Sequence, residues 1–360
     1  KMNYLYNFIQ QFPYLLILFS FLLGKAFMPS VVRIAKKHNF VVKPNKRTTH
    51  KGLIPYTGGF DIFISFIFTI LIFCFPLMEE LQYIPIGIFI ILMTGFIDDL
   101  LNIKPTSKIL GEFVAGIFLI VFSDIRITNF FGVFGIHELP LSISYIFSFL
   151  VFLLMVNSIN LIDGVDGLAS GLGIFYNLFF GIYFHLTGNV SLAIIAYTLT
   201  GSLAVFFIYN VFSKKNKVFM GDTGSLFLGF MLTFYLFEFC EMNASHSVPQ
   251  SMYMAAAPAV AICVLIVPLY DTLRVIVTRI KKGVSPFKAD KNHIHHLLLK
   301  IGFSHRQVTF VLLTVTAFFT SFGLLARQWS NLVLVFVAFL LATGMIFWLW
   351  RVINRKMLRK

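Results

Sequence analysis

The sequence predicts an all-α fold, a polytopic transmembrane bundle of about eleven helices with its N-terminus outside and its C-terminus in the cytoplasm. Three observations predict it. Of 360 residues, 58% are hydrophobic and only 12% charged, and Phe alone contributes 45. Mean hydropathy is +0.86. The apolar residues gather in stretches close to the ~20 that a spanning helix needs, with the basic residues set between them. An ordinary soluble domain is about a quarter charged. A soluble enzyme, a secreted disulfide scaffold, a disordered chain and a coiled coil are therefore excluded together.

The stretches lie at roughly 10–32, 57–78, 83–99, 108–123, 141–159, 168–186, 190–212, 224–240, 251–278, 307–326 and 331–350. They read as helices because lipid satisfies no open backbone group, and they lack the alternation of a barrel strand. The first is too long for a signal peptide, is followed by a basic loop and has no small-residue cleavage site, so it is kept as a span. Lys1 ahead of Met2 reads as an added residue. No internal repeat or Gly/Ser linker divides the chain, so residues 1–360 are taken as a single integral-membrane domain. Cys74, Cys240 and Cys263 sit in apolar runs, and their spacing fits neither a metal knuckle nor a redox pair. They read as small core- or lipid-facing residues.

Lys and Arg set the orientation. Arg33, Lys36, Lys37, Lys43, Lys46, Arg47 and Lys51 fill the first loop. Lys104 and Lys108, then Lys214, Lys215 and Lys217, then the basic loop 274–306 and the tail from Arg351 fall on the same side. The opposite loops hold little beyond Lys1, Arg126 and Arg327. The net charge of +14 thus reflects topology and anionic partners rather than nucleic acid.

The 15 acidic residues carry independent information. Asp98, Asp99, Asp163, Asp166, Asp222, Asp271 and Asp290 all lie at helix ends or loops on the basic side. A carboxylate at the hydrocarbon boundary is costly unless it is paired, and points to function. In Gly95-Phe-Ile-Asp98-Asp99-Leu-Leu-Asn102, continued helix would put Asp98 and Asn102 on one face and Asp99 on another. A solvated helix end is the plain alternative. In Asn157-Ser-Ile-Asn160-Leu-Ile-Asp163-Gly-Val-Asp166-Gly-Leu168, the residues Asn157, Asn160 and Asp163 step by three along one stripe, and the Asp-Gly pairs read as turns. So many amides and carboxylates fit a floor for polar ligands or oxygen ligands for a hard cation better than a simple helix stop.

Phe219-Met-Gly221-Asp222-Thr223-Gly224-Ser225 stands directly before an apolar run. A helix N-terminus there would attract phosphate, and Asp222 could hold Mg²⁺, although for the motif taken alone simple capping by Asp or Thr is the better reading. In Ser285-Pro-Phe-Lys288-Ala-Asp290-Lys291-Asn-His293-Ile-His295-His296, the histidines suggest Zn²⁺ first. No HExxH and no partner cysteine accompanies them, so hydrogen bonding to phosphate is preferred over a metal, with a solvated basic loop as the bland reading. Lys43-Pro-Asn-Lys46-Arg47-Thr-Thr-His50-Lys-Gly-Leu-Ile-Pro-Tyr-Thr-Gly58-Gly59 is either anion-binding or the main orientation signal. No P-loop and no strand-flanked GxGxxG occurs. The triplets Asn189-Val-Ser and Asn243-Ala-Ser match a glycosylation sequon and carry little weight.

Across roughly 33–300, these motifs resemble the polyprenyl-phosphate N-acetylhexosamine-1-phosphate transferases, a bacterial family that makes peptidoglycan lipid I and starts O-antigen and teichoic-acid linkage units. Asp98, Asp99 and Asn102 match its DDxxD/N pattern. Asn157 to Leu168 match NxxNxxDGxDGL, Gly221 to Ser225 match GDTGS, and His293, His295 and His296 match its histidine motif. The first basic loop and the Ser-Pro-Phe-x-Ala-Asp segment are similar to the GlcNAc-1-phosphate branch, although Thr48-Thr49 after Arg47 departs from its usual basic character.

The resemblance implies transfer of HexNAc-1-phosphate from a UDP-N-acetylhexosamine to undecaprenyl phosphate, with release of UMP, at the cytoplasmic face of the bacterial inner membrane. It implies Mg²⁺, or Mn²⁺ in its place, held by Asp222 and Asp99, with Asp98, Asp99 and Asp222 as the catalytic group. Asn157, Asn160, Asp163 and Asp166 would support nucleotide and metal. Lys46, Arg47, His50, His293, His295 and His296 would contact diphosphate or sugar. A homodimer is compatible with all of this, and no nucleic acid enters it. The rival from another class is a secondary transporter of a phosphorylated or anionic solute, which calls for polar residues and broken helices near the bilayer midplane. A CDP-alcohol phosphotransferase would need its own dense Asp/Gly helix motif, which is not seen.

Overall fold

A computed structural model of the chain describes residues 2–42, 54–285 and 292–357. Helices α1 (Met2–Gln11) and α2 (Leu15–Lys37) lead into strand β1 (Val41–Val42), which pairs antiparallel with β2 (Ile54–Pro55). Then follow α3 (Gly58–Phe73), α4 (Leu77–Glu80), α5 (Ile84–Leu101) and α6 (Pro105–Ile117), the last extended by a wide π-turn over Phe118–Phe122. Strands β3 (Asn129–Val133) and β4 (Ile136–Glu138) form a hairpin before α7 (Leu141–Ile162), α8 (Leu168–Leu186), α9 (Val190–Val211) and α10 (Gly221–Ala244). Helices α11 (Ala257–Val264), α12 (Ile266–Lys281), α13 (Ile294–Ile301), α14 (His305–Leu325) and α15 (Asn331–Met357) complete the chain.

Each expected apolar stretch is helical. Among the described residues nine helices, counting α6 with its π-turn, are long and apolar enough to cross a membrane. Two stretches depart from a simple span, both for a proline. The stretch 57–78 yields only the 16-residue α3. Pro76 has no N–H to continue the ladder, and the helix is left at Cys74 with φ −134° and ψ 31°. The stretch 251–278 is broken into α11 and α12, bent by 85°. Pro268 lacks the N–H that would bond Val264, and its ring crowds that carbonyl, so the helix parts at Leu265. The two strand ribbons are a small addition to the all-α expectation. In the β3–β4 hairpin, Phe134 and Gly135 both take positive φ (53° and 75°), which suits a tight two-residue reversal.

Helix α10 is the axle. It packs against α3, α5, α7, α8 and α11, and 94% of its apolar window is buried. That explains why it is apolar all round rather than striped. Helices α2, α3, α8 and α9 pack on one another on one flank, and α11, α12, α14 and α15 form the other. At the far end of α10, Glu241 accepts hydrogen bonds from the Thr128 N–H (2.8 Å) and Oγ1 (2.6 Å), which pins the hairpin. The three cysteines are buried and free, as their apolar settings suggested. Asn243 is buried too, donating to Tyr183 Oη at 2.7 Å.

The near end of α10 depends on close backbone approach. The N–H groups of Gly58 and Gly59 donate to the carbonyls of Phe219 and Met220, both at 2.9 Å. A Cβ on Gly59 would lie 2.3 Å from the Gly224 nitrogen, whereas one on Gly344 would meet nothing within 4 Å. Gly59→Val should therefore lower the thermal midpoint in detergent, with overpacking of roughly 1–3 kcal/mol. Gly344→Ala should leave the midpoint unchanged or slightly raised. Equal midpoints for the two variants would contradict this packing.

Candidate active site

The first N–H groups of a helix have no partner within it. At α10 they are met from another helix. Gly221 turns the chain at φ +71°. The Asp222 N–H then donates to Asp99 Oδ1 at 2.8 Å, and the Thr223 N–H (3.0 Å) and hydroxyl (2.7 Å) donate to Asp99 Oδ2. Asp99 thus caps α10 from the last turn of α5, with both oxygens engaged. The expected metal role suits Asp222 better.

Asp98 and Asn102 do not share a helical face. The helix ends at Leu101, and Asn102 adopts a left-handed φ of 49°, a conformation that asparagine tolerates better than most residues. Asp98 Oδ1 instead accepts the Ile103 N–H at 3.0 Å.

One cation that the sequence reading had used only for orientation stands at the centre. Lys108, in the first turns of α6, lies 3.0 Å from Asp98 Oδ2 and 3.2 Å from Asp222 Oδ2. Its Nζ is also 3.4 Å from Asn160 Oδ1. The Asn160 amide donates to Asp222 Oδ1 (2.5 Å) and Ser225 Oγ (2.8 Å). Asn157, one turn earlier on α7, turns away from the cavity and donates to Glu112 Oε2 at 2.6 Å. Glu112 is buried and stands four residues after Lys108 on α6. That i,i+4 acid–base pair inside an apolar run was the available signal for both residues.

The Asp-Gly turns form the opposite wall. Asp166 Oδ2 lies 2.7 Å from Lys217 Nζ and 3.0 Å from His305 Nδ1. Burial alone would raise the Asp166 carboxyl, but His305 and Lys217 outweigh it and hold it below the usual carboxylate range. Asn210 ties this turn to the segment before α10, accepting from the Gly167 N–H (2.6 Å) and donating to the Val218 carbonyl (2.7 Å). The Asp163 carboxylate faces the cavity with no hydrogen-bond partner among the described residues. Burial, then the charges of Asp222, Asp99 and Asp166, push its carboxyl well above the ordinary range. Neither Lys217 nor His305 belongs to a motif that singled it out.

The cavity between these walls has a volume of about 710 Å³, and its lining includes Tyr56, Asp98, Asp99, Asn160, Asp163, Asp166, Phe219, Asp222 and His305. The three motif histidines do not line it. His293 is buried, with Nδ1 2.9 Å from Asp271 Oδ2. Arg274 holds the other oxygen of Asp271 at 2.8 Å and also donates to the Asn292 carbonyl. His295 is buried against Gly164, where an added Cβ would come within 2.7 Å of Nε2. His296 stacks beside it, ring centres 4.2 Å apart. The motif thus backs the Asp-Gly turn from behind. Lys46, Arg47 and His50 lie outside the described residues, as do Lys288, Asp290 and Lys291.

The oxygen-rich wall fits a hard divalent cation. Asp222 and Asp163 present carboxylates, Asn160 adds an amide, and an ion would relieve the repulsion that Asp163 experiences. Among the described residues no three His, Cys, Asp or Glu side chains form a ready-made cage. The fit is to an ion that takes one or two carboxylates and completes its shell with phosphate oxygens and water, as Mg²⁺ does. The transporter alternative finds no support, since the broken pair parts among buried apolar residues such as Ala261, Val264 and Ile266, while the carboxylates gather at one end of the bundle.

The sequence profile of glycosyl transferase family 4 matches residues 81–239. The undecaprenyl-phosphate alpha-N-acetylglucosaminyl 1-phosphate transferase of Escherichia coli O157:H7 is 31% identical over 342 residues, covering 92% of this chain and 90% of its own length. The enzyme of that name from Yersinia pestis is 30% identical, covering 93% of this chain and 92% of its own. A probable undecaprenyl-phosphate N-acetylglucosaminyl 1-phosphate transferase of Bacillus subtilis is 30% identical over 86% of this chain and 84% of its own.

His295 gives the site a pH dependence of stability. Burial, then His296, pushes its imidazole down to about 3, whereas in an unfolded chain it would titrate near ~6.5. Between those values the unfolded state binds the extra proton. The stabilisation is therefore whole above ~6.5 and is lost as pH falls. The thermal midpoint should drop between pH 7 and pH 5, and His295→Gln should flatten that slope. An unchanged slope would remove His295 as the cause.

Proposed function

Because the chain belongs to glycosyl transferase family 4 and to its undecaprenyl-phosphate GlcNAc-1-phosphate transferases, we propose that it transfers GlcNAc-1-phosphate from UDP-GlcNAc to undecaprenyl phosphate. UMP is released and a cell-envelope glycan is begun. The observation that carries this reading for these residues is the convergence of Asp98, Lys108, Asn160 and Asp222 beside Asp163 and Asp166 on one cavity at the end of a membrane bundle.

In this reading a phosphate oxygen of the lipid attacks the β-phosphorus of UDP-GlcNAc. The bond from that phosphorus to the bridging oxygen breaks, and UMP leaves with the bridging oxygen. The anomeric C–O bond survives. Mg²⁺, with Mn²⁺ able to take its place, neutralises charge on the diphosphate when bound. Asp222 and Asp163 are its best protein ligands. Lys108 reaches both Asp98 and Asp222, so its ammonium can pass to phosphate oxygens as the substrates enter. Asp98, beside it, orients the lipid phosphate. A phosphate monoester is already mostly ionised near pH 7, so positioning ranks above proton removal. The Asp166–Lys217–His305 wall, with the Phe219 ring next to Lys217 (5.8 Å), suits the nucleotide end of the donor.

The positive-inside pattern supports a cytoplasmic face for this end of the bundle in a bacterial inner membrane, the side on which UDP-sugars are made. The basic loop with Lys46, Arg47 and His50 belongs to that face and would add contacts to the diphosphate or sugar. A homodimer is consistent with the exposed apolar faces of the spans.

The test uses UDP-GlcNAc labelled at the β-phosphate, with undecaprenyl phosphate in detergent. Label should move to the lipid only with a divalent ion present, and unlabelled UMP should appear. Asp222→Asn should cut turnover by roughly two to three orders of magnitude with little change in thermal midpoint. Full turnover in that variant, or no labelled lipid from wild-type protein, would defeat the proposal.

A further inference from the structure

At the end of the bundle opposite the acidic cavity lies a second polar cavity of about 390 Å³. Its polar wall consists of Gln82, Tyr83, Ser123, Asn189, Ser191 and Glu238. Glu238 is on α10, 16 residues beyond Asp222, or about 24 Å along the axis at 1.5 Å per residue. It is half-buried, with no hydrogen-bond or ion-pair partner among the described residues, and no Lys or Arg is among the described residues of the wall. Glu241, one turn on, is by contrast satisfied by Thr128. An ionisable residue inside a spanning helix with no partner among the described residues points to one from outside them.

The chemistry of that partner follows from what adjoins the cavity. An apolar slot of about 180 Å³ runs on from it between α3, α5 and α10, walled by residues such as Phe66, Ile67, Ile70 and Ile88. Leu81, Ile84 and Phe234 belong to both walls. The slot exists because α3 stops at Phe73 and the chain folds back through α4. A polar chamber that holds the Glu238 carboxylate, with no Lys or Arg among its described wall residues, and opens sideways into an apolar slot matches an amphiphile with a cationic head. The carboxylate, the amide oxygen of Gln82 and the hydroxyls are acceptors suited to the three N–H donors of a primary ammonium, while the amide oxygen of Asn189 already caps α9 by accepting the Leu192 N–H at 3.2 Å.

We propose that this chamber binds a phospholipid whose headgroup ends in a primary ammonium, with the ammonium on Glu238 and an acyl chain in the slot beside α3. The site is separate from the transferase cavity and does not depend on the reaction assigned there.

The test is ligand-dependent thermal stabilisation of protein stripped of lipid by detergent exchange. Phosphatidylethanolamine should raise the thermal midpoint saturably. Phosphatidylglycerol, phosphatidylcholine and free ethanolamine should each do so much less. Glu238→Gln should weaken the phosphatidylethanolamine response about tenfold in apparent affinity, as expected for loss of one charge-assisted hydrogen bond. Ile67→Trp, which fills the slot, should weaken it while leaving the headgroup wall intact. Asp222→Asn should keep the full response, which separates this site from the transferase reading. An equal response to phosphatidylglycerol or phosphatidylcholine would overturn the ammonium assignment. Free ethanolamine acting as well as the lipid would overturn the slot, and an unaltered response in Glu238→Gln would overturn the site.

Discussion

The capping of α10 by a carboxylate from α5 is the interaction on which the site depends. A helix that starts near the hydrocarbon boundary cannot leave its first N–H groups to chance. Here Asp99 receives the Asp222 and Thr223 N–H groups together with the Thr223 hydroxyl. Gly58 and Gly59 of α3 bind the two carbonyls just before them. Three helices are thereby joined at one backbone turn, and the side chain of Asp222 is aimed by that joint rather than by its own rotamer freedom. A negative charge at this position also complements the positive end of the longest buried helix.

From that joint the charges divide into two groups. Lys108 balances Asp98 and Asp222 on one side, and Lys217 with His305 balances Asp166 on the other. The Asp163 carboxylate lies between them with no partner among the described residues, where the charges of Asp222, Asp99 and Asp166 make further positive charge favourable. An arrangement that holds an ammonium group on each wall and leaves the Asp163 carboxylate to an incoming cation suits a reaction whose main demand is neutralisation of phosphoryl oxygens. Behind the Asp-Gly turn, His293 is tied to Asp271 and His295 packs against Gly164.

The two ends of α10 are chemically unlike. The acidic end draws on carboxylates supplied by four helix ends and their turns, with internal cations to match. The other end carries one glutamate held by Thr128 and one without a partner among the described residues, beside a slot next to a helix cut short. Both ends follow from prolines and glycines that let helices stop or approach where a uniform bundle would not.

Much of the fold was legible in the chain. Spans of this length can be read one by one, because lipid demands a nearly unbroken apolar run and a hydrogen-bonded backbone whatever the neighbours do. The Asp-Asp, Asn-Asp-Gly and Gly-Asp-Thr-Gly motifs were visible for the complementary reason, since carboxylates at membrane depth are too costly to occur without purpose. What one strand of text could not show is which polar groups meet. Lys108 looked like an orientation charge until α6 was laid against α7 and α10. That both oxygens of Asp99 take the Asp222 and Thr223 N–H groups and the Thr223 hydroxyl is nowhere in its own motif. Asn102 fell on a helical face that the chain had already left, and His293 belonged to Asp271 rather than to a substrate. Partnerships of this kind are set by distances between elements far apart in sequence, and only the packed bundle decides them.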